Sequence, residues 1–216
     1  MSNQTLEQNV TDELLWDPKV DSEAVAVAAD DGTVTLRGTV GSFRQKREAQ
    51  KAAERVFGVV TVANLLNVRI LNERRREDAE VRGDVLQALM LDALVPDTVD
   101  VSVKDGFVTL TGTATWQYQR EEAAFIAGNV LGVLGVQDEV FLDNPGPYAG
   151  DVKDSINKAL ERDAKLDSDS IAVETVDGSA ILTGNVRSWA EHDAAVAAAW
   201  AAPGVTAVDD RLSIYY

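Results

Sequence analysis

Three stretches of the chain, "DDGTVTLRGTV" (30–40), "KDGFVTLTGTA" (104–114) and "VDGSAILTGNV" (176–186), share Asp-Gly, then Leu, then a second Gly at fixed spacing. Gly32, Gly106 and Gly178 are 74 and 72 residues apart, and Gly38, Gly112 and Gly184 keep the same offsets. The register holds to Gly58-Val59, Gly132-Val133 and Gly204-Val205, so each unit spans 26 residues from first to last glycine without insertion. Repetition at this period restricts the fold to a solenoid or to tandem domains, according to whether one unit can bury a core alone.

The local pattern decides between them. Apolar residues alternate before each Asp-Gly, at Val25 and Val27, at Val99, Val101 and Val103, and at Ile171 and Val173. They alternate again after it, at Val34 and Leu36, Val108 and Leu110, Ala180 and Leu182. Period two on both sides of Asp-Gly predicts a β-hairpin whose glycine accepts a positive φ. The second glycine falls on the inward face of the second strand, where a missing side chain marks a bulge or the close approach of another element. The next segment is expected to be that element. Ala49, Ala52, Ala53 and Val56 recur as Ala123, Ile126, Ala127 and Val130, then as Ala195, Ala198, Ala199 and Ala202, a small-residue stripe at helical spacing. Each such helix is expected to end at its Gly-Val pair, with Gly58, Gly132 or Gly204 at the C′ position.

A third apolar run follows in every copy, and upstream of every hairpin another helix is written by Leu6, Val10 and Leu14, by Val81, Val85 and Leu89, and by Val152, Ile156 and Leu160. The predicted class is α+β: three tandem αββαβ domains, each with two helices on one face of a three-stranded mixed sheet. A unit of about 65 residues can hold a small core of its own, which favours tandem domains over a solenoid. The expected boundaries are 1–71, 72–143, a Pro/Gly linker at 144–150, and 151–216. "LNERRREDAE" (71–80) reads either as a linker or as an extension of the second domain's first helix capped by Asn72.

The pattern Gly-x-Val-x-Leu-x-Gly, an Ala-rich helix, then Gly-Val-x-x-Val and a short strand resembles the BON (bacterial osmotically induced and nodulation) domain. The residues that carry the resemblance are Gly32, Val34, Leu36, Gly38, Gly58, Val59 and Val62, then Gly106, Val108, Leu110, Gly112, Gly132, Val133 and Val136. In the third copy they are Gly178, Leu182, Gly184, Gly204, Val205 and Val208, and this copy departs at Ala180, where Val is expected. The resemblance implies a non-enzymatic binding module linked to osmotic stress, envelope integrity and phospholipid.

Charge bears on the partner. With 20 basic and 36 acidic residues the chain carries −16, which repels nucleic acid and anionic membrane over most of its surface. The charge is uneven: 11 basic against 12 acidic residues through Glu77, 3 against 12 from Asp78 to Pro147, and 6 against 12 thereafter. In the first domain Arg44, Arg47, Lys51 and Arg55 follow helical spacing opposite the Ala stripe, a basic ridge that suits phospholipid headgroups or an acidic neighbour. The aromatic residues Phe43, Trp116, Tyr118 and Trp189 stand where a hairpin enters the next helix, either as staples or as interfacial anchors.

No catalytic constellation is legible. His192, the sole histidine, is expected on the surface of its helix beside Glu191 and Asp193, and Lys46 and Arg120 stand at its aligned positions. There is no cysteine, phosphate loop, dinucleotide fingerprint or EF-hand string, so neither metal nor cofactor is expected. No run approaches the ~18 apolar residues of a membrane span, and "MSNQTLEQNVTDELLW" lacks the pattern of a secretory signal. The expectation is a cytoplasmic protein, peripheral at the inner membrane leaflet, that binds phospholipid. The alternative is a soluble adaptor whose three domains present a surface to an unidentified protein partner.

Overall fold

Asp31 and Gly32 both take positive φ, 45° and 77°, as do Asp105 and Gly106 at 53° and 81° and Asp177 and Gly178 at 47° and 79°. Two consecutive left-handed residues make the tight turn whose twist matches that of paired strands, and each Asp-Gly closes an antiparallel hairpin. The computed structural model describes residues 2–69, 76–144, 149–163 and 166–216.

The first repeat runs α1 (Asn3–Trp16), β1 (Val25–Asp30), β2 (Thr33–Val40), α2 (Phe43–Glu54) and β3 (Thr61–Val68). The second follows as α3 (Asp78–Met90), β4 (Asp100–Lys104), β5 (Phe107–Ala114), α4 (Gln117–Asn129) and β6 (Gly135–Leu142). The third comprises α5 (Ala149–Arg162), β7 (Ile171–Val176), β8 (Ser179–Val186), α6 (Trp189–Trp200) and β9 (Ala207–Ile214). Each sheet has three strands with the second at its centre. β1 pairs antiparallel with β2, Val27 opposite Leu36, and β2 pairs parallel with β3, Val34 opposite Val62. The third repeat repeats this mixed pattern, with Val173 opposite Leu182 and Ala180 opposite Val208. The predicted α+β architecture is the one observed.

The chain divides into two compact units, Met1–Thr113 with Tyr118–Phe141, and Ala114–Gln117 with Leu142–Tyr216. Each first helix buries the stripe read from sequence: Leu6, Val10 and Leu14 in α1, Val81, Val85 and Leu89 in α3, Val152, Ile156 and Leu160 in α5. In the first repeat this stripe meets Val34, Leu36 and Val40 of the central strand and Ala49, Ala52 and Ala53 of α2. The alanines let α2 lie close to the sheet, because a larger side chain would hold the backbones apart.

Four expectations are corrected. The element that crowds the second glycine is the backbone that enters the first strand, and the Ala-rich helix is not involved. A β-carbon on Gly38 would stand 1.9 Å from the Ala24 carbonyl oxygen, and on Gly112 or Gly184 it would stand 2.1 Å from that of Thr98 or Ser170. Gly58 is also not the C′ residue of α2, which ends at Glu54. With φ of 93° it occupies a separate turn closed by the Val59 amide donating to the Val56 carbonyl at 3.2 Å, repeated at Val133–Val130 and Val205–Ala202. Finally, α3 starts at Asp78 behind a capping box of Glu77 and Glu80, so Asn72, outside the described residues, is not its cap. α5 begins at Ala149, two residues inside the expected linker.

The two turns meet. The Gly32 carbonyl accepts from the Val60 amide at 2.8 Å, Gly106 from Leu134 at 2.9 Å and Gly178 from Thr206 at 2.8 Å. The hairpin turn therefore fixes the point where the third strand starts.

Candidate functional site

The basic ridge is displayed by α2. Ser42 caps this helix by accepting from the Gln45 amide at 3.2 Å, and the Gln45 side chain accepts in return from the Gly41 amide at 2.8 Å. Burial of Glu48, Ala49, Ala52 and Ala53 then turns the cationic residues outward. The four cations divide into two pairs with different surroundings.

Arg47 is half-buried against the second repeat. Its guanidinium donates to the Asn129 side chain at 2.9 Å and to the carbonyls of Ala124 and Phe125 at 3.4 Å, near the C-terminal end of α4. It also lies 5.5 Å from the Phe43 ring centroid and 5.0 Å from that of Phe125. A cation there complements the negative end of the helix dipole and the faces of both rings. Burial holds its pKa below the ordinary arginine value. Gly128 makes the approach possible, since a β-carbon at that position would stand 2.9 Å from both the guanidinium and the Phe43 ring.

Arg55 faces α1. It donates to Asp17 at 2.8 Å and to Glu13 at 3.0 Å, and Asp17, which is buried, also accepts from the Lys19 amide at 3.0 Å. The hydrogen bond from Arg55, reinforced by that amide, holds the Asp17 carboxyl below its ordinary value. The same bond raises Arg55. Arg44 and Lys51 are exposed. Seven residues apart, they share one face about 10 Å apart along the axis.

The aromatic positions also separate. Phe43 packs beside Arg47 and Gly128. Tyr118 is 52% exposed. Trp116 is half-buried and stands where the first and third repeats place the capping serines Ser42 and Ser188. Trp189 is half-buried and meets His192 edge to face, ring centroids 5.0 Å apart.

His192 is not an open surface residue. Its Nε2 lies 2.7 Å from Asp210 of β9 and its Nδ1 3.1 Å from Asp193. Arg120 bonds Asp138 of β6 from the equivalent position, and in the first repeat the Asn64 side chain of β3 donates to the Lys46 carbonyl at 2.8 Å. All three repeats therefore tie the second helix to the last strand at this point. The same position in every copy explains His192 as part of the scaffold.

One group of residues escaped the sequence reading. Just past their last buried leucines, α1 ends in Leu15 and Trp16, 66% and 83% exposed, and α3 ends with Met90 and the following Leu91, 85% and 80% exposed. The signal was legible in "ELLWD" and "ALMLD", where large apolar residues continue beyond the helical stripe. Trp16 overhangs a cleft of about 440 Å³ lined also by Asn9, Asp12, Glu13, Arg55 and Val56. Among the described residues there is no cluster of three metal-ligating side chains. No described helix is long and apolar enough to cross a membrane.

The family comparison agrees with this organisation. The sequence model of the BON domain matches residues 2–70, 77–142 and 149–215. The chain is 32% identical over 145 residues to the osmotically-inducible protein Y of Escherichia coli (strain K12), which covers 65% of this chain and 72% of that protein. Among solved structures, similarity extends to CdsD, a structural protein of the type III secretion system of Chlamydia trachomatis, at 15% identity and a TM-score of 0.28, covering 98% of this chain and 92% of that one.

Proposed function

Because the chain belongs to the BON domain family, with three copies that span nearly its whole length, we propose that it is a stress-responsive, non-catalytic binding protein that meets phospholipid headgroups through the outer face of α2. The observation that carries this reading is the exposure of Arg44 and Lys51 on the one repeat whose acidic and basic residues nearly balance. Two cations about 10 Å apart match the spacing of neighbouring headgroups better than a single deep pocket, and each juxtamembrane cation contributes about 1 kcal/mol near an anionic surface. Tyr118, exposed and with an apolar ring and a polar tip, is of the residue type that suits such an interface. Similarity to an osmotically-inducible protein supports the stress-related role, and the reading places the protein peripherally at the inner leaflet.

Co-sedimentation with anionic and with neutral vesicles at low salt tests it. Binding to the anionic vesicles is expected, and Arg44→Glu with Lys51→Glu should abolish it. Absence of binding, or binding indifferent to the double reversal, overturns the assignment. The alternative reading, an adaptor for a protein partner, draws on the exposed Leu15, Trp16, Met90 and Leu91 and on the engagement of Arg47 and Arg55 within the chain.

A further inference from the structure

The three repeats share one fold, so a residue that differs among equivalent exposed positions is not there to make the fold. The buried stripes set the equivalence of the first helices: Leu6, Val10 and Leu14 correspond to Val152, Ile156 and Leu160. By that register Asp12 and Trp16 of α1 correspond to Lys158 and Arg162 of α5. All four side chains are exposed. At the same two places, four residues apart on one helical face, the first repeat presents a carboxylate and an indole while the third presents an ammonium and a guanidinium.

We propose that the Asp12–Trp16 cleft of one molecule receives the Lys158–Arg162 face of a second copy of this chain. The two pairs have matching pitch, since residues four apart on a helix stand about 6 Å apart. Lys and Arg are the partners that an exposed carboxylate and an indole face both attract, the first by charge and the second through the ring quadrupole. The depression beside Trp16 is open to solvent, so side chains of a second copy can reach Asp12 and the indole. Asp12 is held ready by the Gln8 side chain, which donates to it at 2.8 Å. Its neighbour Glu13 shares Arg55 with Asp17, so the cleft keeps a net negative charge to which Asp12 adds its own. The −16 charge opposes association at long range, but at physiological ionic strength it is screened beyond about 8 Å while the paired groups in contact are not. Because the two faces belong to different repeats, the contact is between unlike surfaces, and it either closes into a reciprocal dimer or ring or extends head to tail.

Sedimentation of the full chain at physiological ionic strength tests the proposal. The wild type is expected to show a weight-average mass that climbs with concentration above that of the monomer. Asp12→Lys with Trp16→Arg makes both faces cationic, and Lys158→Asp with Arg162→Trp makes both faces acidic and aromatic. Each double variant alone should remain monomeric, and their equimolar mixture should recover the association. These residues are exposed and each substitution installs what a sister repeat already carries there, so folding is retained, which circular dichroism checks. A wild type that stays monomeric across the concentration range, double variants that associate as the wild type does, or a mixture that fails to associate overturns it.

Discussion

Gly128 of α4 and Arg47 of α2 occupy one space: a β-carbon on the glycine would stand 2.9 Å from the guanidinium. The aligned positions in the other repeats hold Glu54 and Trp200, so this glycine is not a requirement of the fold. It serves the contact between the first two repeats. Arg47→Ala removes the donors to Ala124, Phe125 and Asn129 together with the ring contacts and is expected to destabilise by about 1.5–3 kcal/mol, the range for charge-assisted hydrogen bonds. Gly128→Ala should act in the same direction by displacing the same guanidinium. Arg47→Lys should not restore the loss, because an ammonium cannot span these acceptors as a planar fork does. Urea unfolding followed by tryptophan fluorescence measures all three.

Gly38→Ala is expected to be among the most damaging single substitutions, costing more than about 3 kcal/mol. Its φ of 125° is hostile to a side chain, and the β-carbon would meet the Ala24 carbonyl oxygen, backbone that cannot rotate away. Gly83→Ala is the contrasting control. Gly83 lies within α3 and a β-carbon there meets nothing within 4 Å, so alanine should stabilise by about 0.5–1 kcal/mol. Denaturation midpoints that move in the same direction for both would contradict the argument.

The buried Asp17 gives stability a defined pH signature. Its pKa is lowered in the fold, chiefly by the hydrogen bond from Arg55, so its contribution is present above the unfolded carboxyl value and is lost as pH falls toward the folded one. Asp17→Asn should therefore be less stable than the wild type by an amount that is constant above about pH 5 and shrinks toward zero in more acidic solution. Unfolding free energies of the two proteins across a pH series give the difference directly. A gap that widens on acidification would carry the wrong sign.

At the bridge between helix and last strand, the repeats predict one another. His192 and Arg120 make equivalent contacts to Asp210 and Asp138. His192→Arg should be neutral to within about 0.5 kcal/mol, since it installs the second repeat's solution. His192→Ala should lose about 1 kcal/mol with the bond to Asp210. Thermal unfolding of the third repeat's tryptophans, Trp189 and Trp200, reads both.

Periodicity made the elements legible because strand and helix faces are set by local geometry. Val34 and Leu36, or Leu6, Val10 and Leu14, lie inward for reasons that neighbours in sequence dictate. The second glycine of each copy is legible only as a prohibition. A conserved spacing says that a side chain is excluded at Gly38, but the obstacle is Ala24, and only the antiparallel register shows it. The ridge was read as four equivalent cations because helical spacing puts them together. Their division depends on Asp17, which α1 brings from 38 residues away, and on Asn129 and Gly128 of another repeat. Trp16 is not marked by the repeats, which show what the copies share, because the indole belongs to one copy alone.

The bond between the Gly32 carbonyl and the Val60 amide also has a kinetic meaning. A two-residue hairpin closes within about 1–10 μs, before a parallel strand can return across an intervening helix. A turn that closes early in each repeat is therefore the docking point for the strand that arrives last. With the same bond at Gly106 and Gly178, a damaged turn should slow the assembly of its own sheet and leave the hairpins of the other two repeats unaffected.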